Sequence, residues 1–119
     1  MANHNELGKK GEKIALEYLL KNDYKILETN YRYLKAEVDI IARKNDTLIA
    51  VEVKTRTSAY FGNPQDFVNP KKIKLLLSAI DFYVTNADLD VEVRFDIIAI
   101  ICNKNETKIE HIEDAFLHF

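Results

Sequence analysis

Asp39, Glu52 and Lys54 are the residues of this chain whose types and spacing best suit chemistry. Asp39 stands in Glu37-Val38-Asp39-Ile40-Ile41-Ala42, an acid among apolar neighbours. A carboxylate carried into an apolar setting is costly unless a cation meets it. Glu52 and Lys54 lie two apart in Val51-Glu52-Val53-Lys54-Thr55, so on a strand they point the same way. The spacing is Asp39, twelve residues, Glu52, one residue, Lys54. Two carboxylates brought close repel each other, and a hard divalent cation such as Mg²⁺ or Mn²⁺ relieves that repulsion by binding their oxygens. A neighbouring lysine can then orient a water or neutralise phosphoryl charge during a displacement at phosphorus. Taken alone, Glu52 and Lys54 read more readily as a charged pair capping a strand end. Asp39, one strand earlier, tips the reading towards a site.

Those residues need elements to hold them, and hydrophobic periodicity supplies the outline. From Glu6 to Lys21, the residues Leu7, Gly11, Ile14, Ala15, Tyr18 and Leu19 follow helical spacing, which predicts an amphipathic helix ended by Asn22-Asp23. Strands are expected over Tyr24–Tyr33, over Ala36–Arg43 with Val38, Ile40 and Ala42 on one face, and over Thr47–Thr55. Asn45-Asp46 joins the last two as a hairpin. The third strand is apolar on both faces until Glu52 and Lys54, as a central strand is, and charged groups at its carboxyl end suit a ligand site. Thr57 to Asn69 reads as a loop holding Gly62 and Pro64. Asn69-Pro70 starts a second helix, with Ile73, Leu76, Leu77, Ile80 and Tyr83 as its buried stripe. Glu92–Cys102 and Thr107–Ile112 are the closing strands, with a turn at Asn103–Asn105. The predicted order is α-β-β-β-α-β-β.

The 119 residues suffice for one domain, residues 1–119, and leave no room for a second core. Charged residues make up 30% and hydrophobic ones 47%, with three Gly and two Pro, which excludes a disordered or fibrous chain. The longest apolar run, Ile97–Cys102, is far too short to span a bilayer. The opening Met1-Ala2-Asn3-His4-Asn5 is polar, so a cytoplasmic protein without a leader is expected. A single cysteine, Cys102, excludes an internal disulfide and a thiolate-rich metal site.

The net charge of −2 does not by itself advertise nucleic-acid binding. Its distribution says more: residues 54–74 carry five cations (Lys54, Arg56, Lys71, Lys72, Lys74) against Asp66, whereas residues 75–119 carry three cations against nine acids. A basic middle of this kind can hold a phosphate backbone, and it reads as readily as a solvated charged surface. Lys71, Lys72 and Lys74 sit at a predicted helix N-terminus, where positive charge opposes the dipole. Phosphate contact is the clearest reason to place them there.

Asp-x₁₂-Glu-Val-Lys across a β-hairpin, after a helix carrying an acid, resembles the PD-(D/E)XK restriction-endonuclease-like nuclease superfamily. Nearly end to end, the chain is similar to the uncharacterised bacterial YraN-like family, itself similar to Holliday-junction resolvases. The segments that carry the resemblance are Gly11-Glu12-Lys13-Ile14-Ala15, Asn30-Tyr31-Arg32, Glu37 to Ala42, Val51 to Arg56, Phe61-Gly62-Asn63-Pro64, Lys72, Arg94-Phe95-Asp96-Ile97 and Asp114-Ala115-Phe116. Ala36 stands where that family usually has Gly, and Val38 where the superfamily has Pro. The resemblance implies a restriction-endonuclease-like core, a mixed central sheet flanked by helices. It implies metal ligation by Asp39, Glu52 and Glu12, with the Val53 carbonyl as a further ligand, and Lys54 positioning water or stabilising phosphate charge. Independently, Gly8, Glu12, Ala15 and Leu19 form one helix ridge, so Glu12 faces the sheet's margin; a solvated helix acid remains the alternative.

The other candidates are weaker. His4, His111 and His118 have no metal spacing and read as surface histidines, and Cys102 as a small buried hydrophobe. Tyr60, Phe61 and Phe67 suit base stacking but suit packing over the sheet better. Glu37 and Asp96 read as supporting acids or strand-end structure. The expected function is therefore Mg²⁺- or Mn²⁺-dependent hydrolysis of DNA phosphodiester bonds, in branched or structured DNA by the resolvase resemblance. Catalysis falls to Asp39, Glu52, Lys54 and Glu12, and nucleic-acid contact to Lys71, Lys72, Lys74 and Arg56. A non-catalytic nucleic-acid-binding module with a relic site is the alternative, and a homodimer stays open as an assembly.

Overall fold

The computed structural model describes residues 4–57 and 69–115. Its elements are α1 His4–Lys21, β1 Lys25–Tyr33, β2 Ala36–Lys44, β3 Thr47–Arg56, α2 Pro70–Asn86, β4 Glu92–Cys102 and β5 Thr107–Ile112. That is a mixed α/β fold in the expected order. The boundaries have local causes. At the end of α1 the Tyr24 N–H donates to the Leu19 carbonyl at 2.9 Å and the Asp23 N–H to that of Leu20 at 3.2 Å. Asp23, at φ 69°, supplies the left-handed residue that such a helix end requires, and it pushes the start of β1 one residue past Tyr24. At the start of α2 the Asn69 Oδ1 accepts from the Lys72 N–H at 2.8 Å, with Pro70 in the first turn.

The five strands form one sheet in the order β1-β2-β3-β4-β5. All neighbours are antiparallel except β3 and β4, which run parallel over Thr47↔Glu92 to Arg56↔Ile101. A parallel pair needs a crossover, and α2 provides it. The two helices cover opposite faces. Ala15 and Leu19 of α1 pack on Ile40, Ala42, Ile49, Val51, Ile98 and Ile100; Leu76, Ala79 and Ile80 of α2 pack on Val38, Ile41, Leu48 and Ala50. The alternation of β3 turns odd residues towards α1 and even residues towards α2, and its end delivers Glu52 to the α2 side.

Two expectations about packing are corrected. Leu77 is 50% exposed and does not belong to the buried stripe of α2. It lies about 100° round the helix from Leu76, and the sheet covers only the narrower arc of Leu76, Ala79, Ile80 and Tyr83. Val38 does not share a face with Ile40 and Ala42: it packs under α2 and they pack under α1. Residues two apart in a regular strand cannot do this, so β2 changes face at Asp39. The irregularity continues in β1, where Thr29 pairs with Ile40 and Tyr31 with Val38 while Asn30, between them, has φ 51°. Among the described residues no helix is long and apolar enough to cross a membrane. Tyr60, Phe61, Phe67, the Phe61–Pro64 segment, Phe116, His118 and the His4 side chain lie outside the described residues.

Candidate active site

The face change at Asp39 is what aims its carboxylate. The β2–β3 ladder runs from Lys44↔Thr47 to Ile40↔Val51. One step beyond, the Val53 N–H donates to Asp39 Oδ2 at 2.8 Å, so a side chain replaces the next rung. Asp39 is thereby set where the two strands part, and it lines clefts with Glu12, Lys13 and Leu16 of α1 and with Lys72, Leu75 and Leu76 of α2. Glu52, 8% exposed, stands across the same gap. Its Oε1 accepts from Lys72 Nζ at 2.6 Å, and Lys54 Nζ stands 3.7 Å away.

Glu12 comes from α1, and Gly11 sets how closely it can come. A Cβ on Gly11 would overlap the Thr55 hydroxyl and lie 2.9 Å from Thr55 Cβ, so α1 reaches the end of β3 because that position lacks a side chain. An open cleft of about 410 Å³ results, lined by Gly8, Glu12, Asp39, Glu52, Lys54 and Arg56 among others. A second cleft of about 360 Å³ opens on the α2 side, with Lys35, Glu37, Asp39, Glu52 and Lys72 in its lining. Asp39 and Glu52 line both. Lys71 and Lys74 are exposed on α2 and are not among the described residues of either lining.

The electrostatics are those of crowded acids. Burial and then the charge of Glu52 push the Asp39 carboxyl up to about 7, with Glu12 adding to the rise; the Val53 N–H and Lys72 oppose it. Glu12 is also raised, by burial first and then by Glu37 and Glu52. A carboxyl group crowded by a neighbouring carboxylate offers what a hard cation seeks. Asp39 Oδ1 and Glu52 Oε2 have no hydrogen-bond partner among the described residues, whereas Oδ2 and Oε1 are taken by Val53 and Lys72. No group of three or more His, Cys, Asp or Glu among the described residues is gathered closely enough to enclose a metal. The donor set thus suits a divalent cation held by two acids and completed by water or substrate oxygens, not a closed protein shell.

A second polar cluster lies under α1, and sequence reasoning missed most of it. Asp96 is fully buried. Arg94 grips it with two hydrogen bonds of 2.9 Å, His111 Nε2 lies 2.6 Å from Oδ2, and the Asp114 N–H donates at 3.2 Å. The Tyr18 hydroxyl lies 3.0 Å from His111 Nδ1, and Arg94 also donates to the Tyr24 hydroxyl at 3.0 Å. His111 is therefore not a surface histidine: its side chain is 9% exposed, because β5 turns it under α1 onto Asp96. The available signal was an acid among apolar neighbours, Phe95-Asp96-Ile97, the same cue that marks Asp39. Cys102 is buried, as expected.

The pattern of the Uncharacterised protein family UPF0102 matches residues 11–100. The chain belongs to the UPF0102 family. A UPF0102 protein of Christiangramia forsetii is 67% identical over the whole of both chains, and one of Flavobacterium psychrophilum is 59% identical, again over the whole of both. A more distant UPF0102 protein, of Phocaeicola vulgatus, is 46% identical over 98% of this chain and 96% of its own. The matched UPF0102 region contains Glu12, Asp39, Glu52, Lys54, Lys72 and Asp96.

Proposed function

We propose that this UPF0102 protein is a metal-dependent endonuclease of the restriction-endonuclease-like superfamily, hydrolysing phosphodiester bonds in DNA. One observation carries the reading: Asp39, Glu52 and Lys54, from adjacent strands, line a single open cleft with Glu12 entering from α1. Folding alone gains little from gathering three acids there, since burial and mutual repulsion raise Asp39 to about 7. Mg²⁺ or Mn²⁺ held by Asp39 and Glu52, with Glu12 alongside, would supply charge neutralisation at the scissile phosphate. Lys54 holds a cation at the mouth of the cleft, placed to orient a water or meet phosphate charge. Arg56, exposed at the rim, extends the positive lining towards the backbone on either side. Water adds to phosphorus, the phosphorus–oxygen ester bond breaks, and the leaving oxygen takes a proton.

A second reading has an observation of its own. Lys72 already neutralises Glu52 at 2.6 Å, as a relic site in a nucleic-acid-binding module would be neutralised. A cleavage screen separates the two, with duplex, flap, single-stranded and four-way-junction DNA in Mg²⁺ and in Mn²⁺. The expected result is metal-dependent cutting of at least one substrate, abolished in Glu52→Gln with DNA affinity retained. No cutting of any substrate with either metal, together with lysine-dependent binding, selects the binding module.

A further inference from the structure

Leu34 joins β1 to β2 and is at odds with both its backbone and its surroundings. Its φ is 56°, a left-handed conformation that Gly or Asn adopts more readily than Leu. The residue is 86% exposed, so no packing offsets the strain. Folding gains nothing from leucine here, and an exposed apolar tip held in a fixed, unfavourable conformation points to something it touches.

The surroundings say what. Arg32 and Lys35 flank the tip, both exposed, and Arg32 is tied to Glu37 at 3.3 Å with its side chain 77% open to solvent. Behind the tip the Tyr33 ring stacks on Phe82 of α2, centroids 4.4 Å apart and planes 22° apart, and Phe82 is 42% exposed. Helical spacing puts Lys71 and Leu75 on the same flank of α2 as Phe82. Lys35 and Leu75 line the α2-side cleft, whose inner wall is Asp39 and Glu52. An apolar point between cations, backed by aromatic rings and continuous with the candidate site, fits an opened nucleic-acid stack. A protein partner fits it less well, because lysine is depleted from protein interfaces.

We propose that the β1–β2 tip is a wedge for nucleic acid. Leu34 packs against the last base pair where the strands of a duplex part, as apolar side chains do when they enter a base step. Arg32, Lys35 and Lys71 meet the neighbouring phosphates, and the separated strand runs into the cleft beside Asp39 and Glu52. The proposal rests on the phosphodiesterase reading and adds to it the element that would recognise a fork, flap or junction, the β1–β2 tip.

The test is run in EDTA, so that it needs no cutting. Two probes are compared, a forked duplex with 2-aminopurine at the fork and a duplex of equal length closed by hairpins at both ends. The native protein is expected to prefer the fork about tenfold, equivalent to about 1.4 kcal/mol, and to raise the 2-aminopurine fluorescence. Leu34→Asn, which suits the left-handed backbone, is expected to keep or raise the melting temperature. It should lose both the preference and the fluorescence rise, while keeping salt-dependent binding to the closed duplex. Absence of fork preference in the native protein, or its survival in Leu34→Asn, overturns the wedge. A change of sedimentation mass in Leu34→Asn with DNA binding untouched would overturn it too, by assigning the tip to contact with a second copy. Incubating the same fork with Mg²⁺ or Mn²⁺ judges the nuclease reading separately: a preference with no cutting overturns the catalysis and leaves the wedge.

Discussion

Lys72 and Lys54 both serve Glu52, but at 2.6 and 3.7 Å they serve it differently. The shorter contact is a charge-assisted hydrogen bond to a carboxylate that is nearly out of water; the longer one is a loose ion pair nearer the rim. Lys72→Ala should therefore cost about 2 kcal/mol in the metal-free protein, measured by urea unfolding in EDTA. In saturating Mn²⁺ the deficit should shrink, since a cation held by Glu52 takes over the work of the lost ammonium. Equal deficits in the two conditions would put any bound metal elsewhere. Lys54→Ala, at the rim, should cost well under 1 kcal/mol in either condition.

Among the elements, α1 depends most on a single atom's absence. Alanine is ordinarily worth up to about 1 kcal/mol more than glycine inside a helix, so Gly11→Ala would stabilise the chain if nothing opposed it. Contact with Thr55 reverses that expectation: Gly11→Ala should lower stability, and Thr55→Ala in the same chain should recover part of the loss, with a coupling of about 1 kcal/mol in a double-mutant cycle. Additive effects would mean that α1 does not need the close approach. Element boundaries were legible because their punctuation is local: Asn22-Asp23, Asn45-Asp46, Asn69-Pro70 and Asn103–Asn105 act through their own backbone and side chains. That Asp39, Glu52 and Lys54 come from neighbouring strands of one hairpin was legible as well, since the Asn45-Asp46 turn fixes the pairing. The face change at Asp39 was not, because Val38 and Ile40 are both apolar and suit either face, so residue type does not mark the break. Nor was Lys72, whose bond to Glu52 spans 20 residues and follows from how α2 docks, not from any spacing. His111 went unread for the same reason, its partners being 15 and 93 residues away.

For the molecule as a whole, Asp96 is the pin that joins the far edge of the sheet to α1. Its ring of donors ties β4 to β5, to the turn at Asp114 and, through His111, to Tyr18. Burial alone would raise its pKa, but the hydrogen bonds from His111 and Arg94 outweigh burial and hold it below the ordinary value of 3.8. A carboxylate with a lower pKa folded than unfolded adds stability above its unfolded pKa, near 4, and that contribution is lost as the pH falls towards the folded value. Asp96→Asn should cost roughly 3 kcal/mol at pH 7, where it strands Arg94. The gap between variant and parent should narrow as the pH drops below about 4, read from urea midpoints across that range. A gap that stays constant down to pH 2 would show that shape, not charge, is what Asp96 contributes.

The parallel pairing of β3 with β4 also sets an order of events during folding. The strands β1, β2 and β3 are joined by short turns and can zip together early, bringing Asp39 against Val53 across 14 residues. The partner of β3 on its other side arrives only after the crossover, with Thr47 pairing to Glu92, and contacts of such long range form late. A nascent chain therefore assembles two mutually repelling acids before α2 docks the ammonium that quiets them. Lys72 should accordingly have a φ-value near zero, its replacement hastening unfolding while leaving the refolding rate almost untouched, in a stopped-flow chevron. If Asp39 and Glu52 hold the proposed divalent ion, the half-built meander is the stage at which it would act as a folding aid.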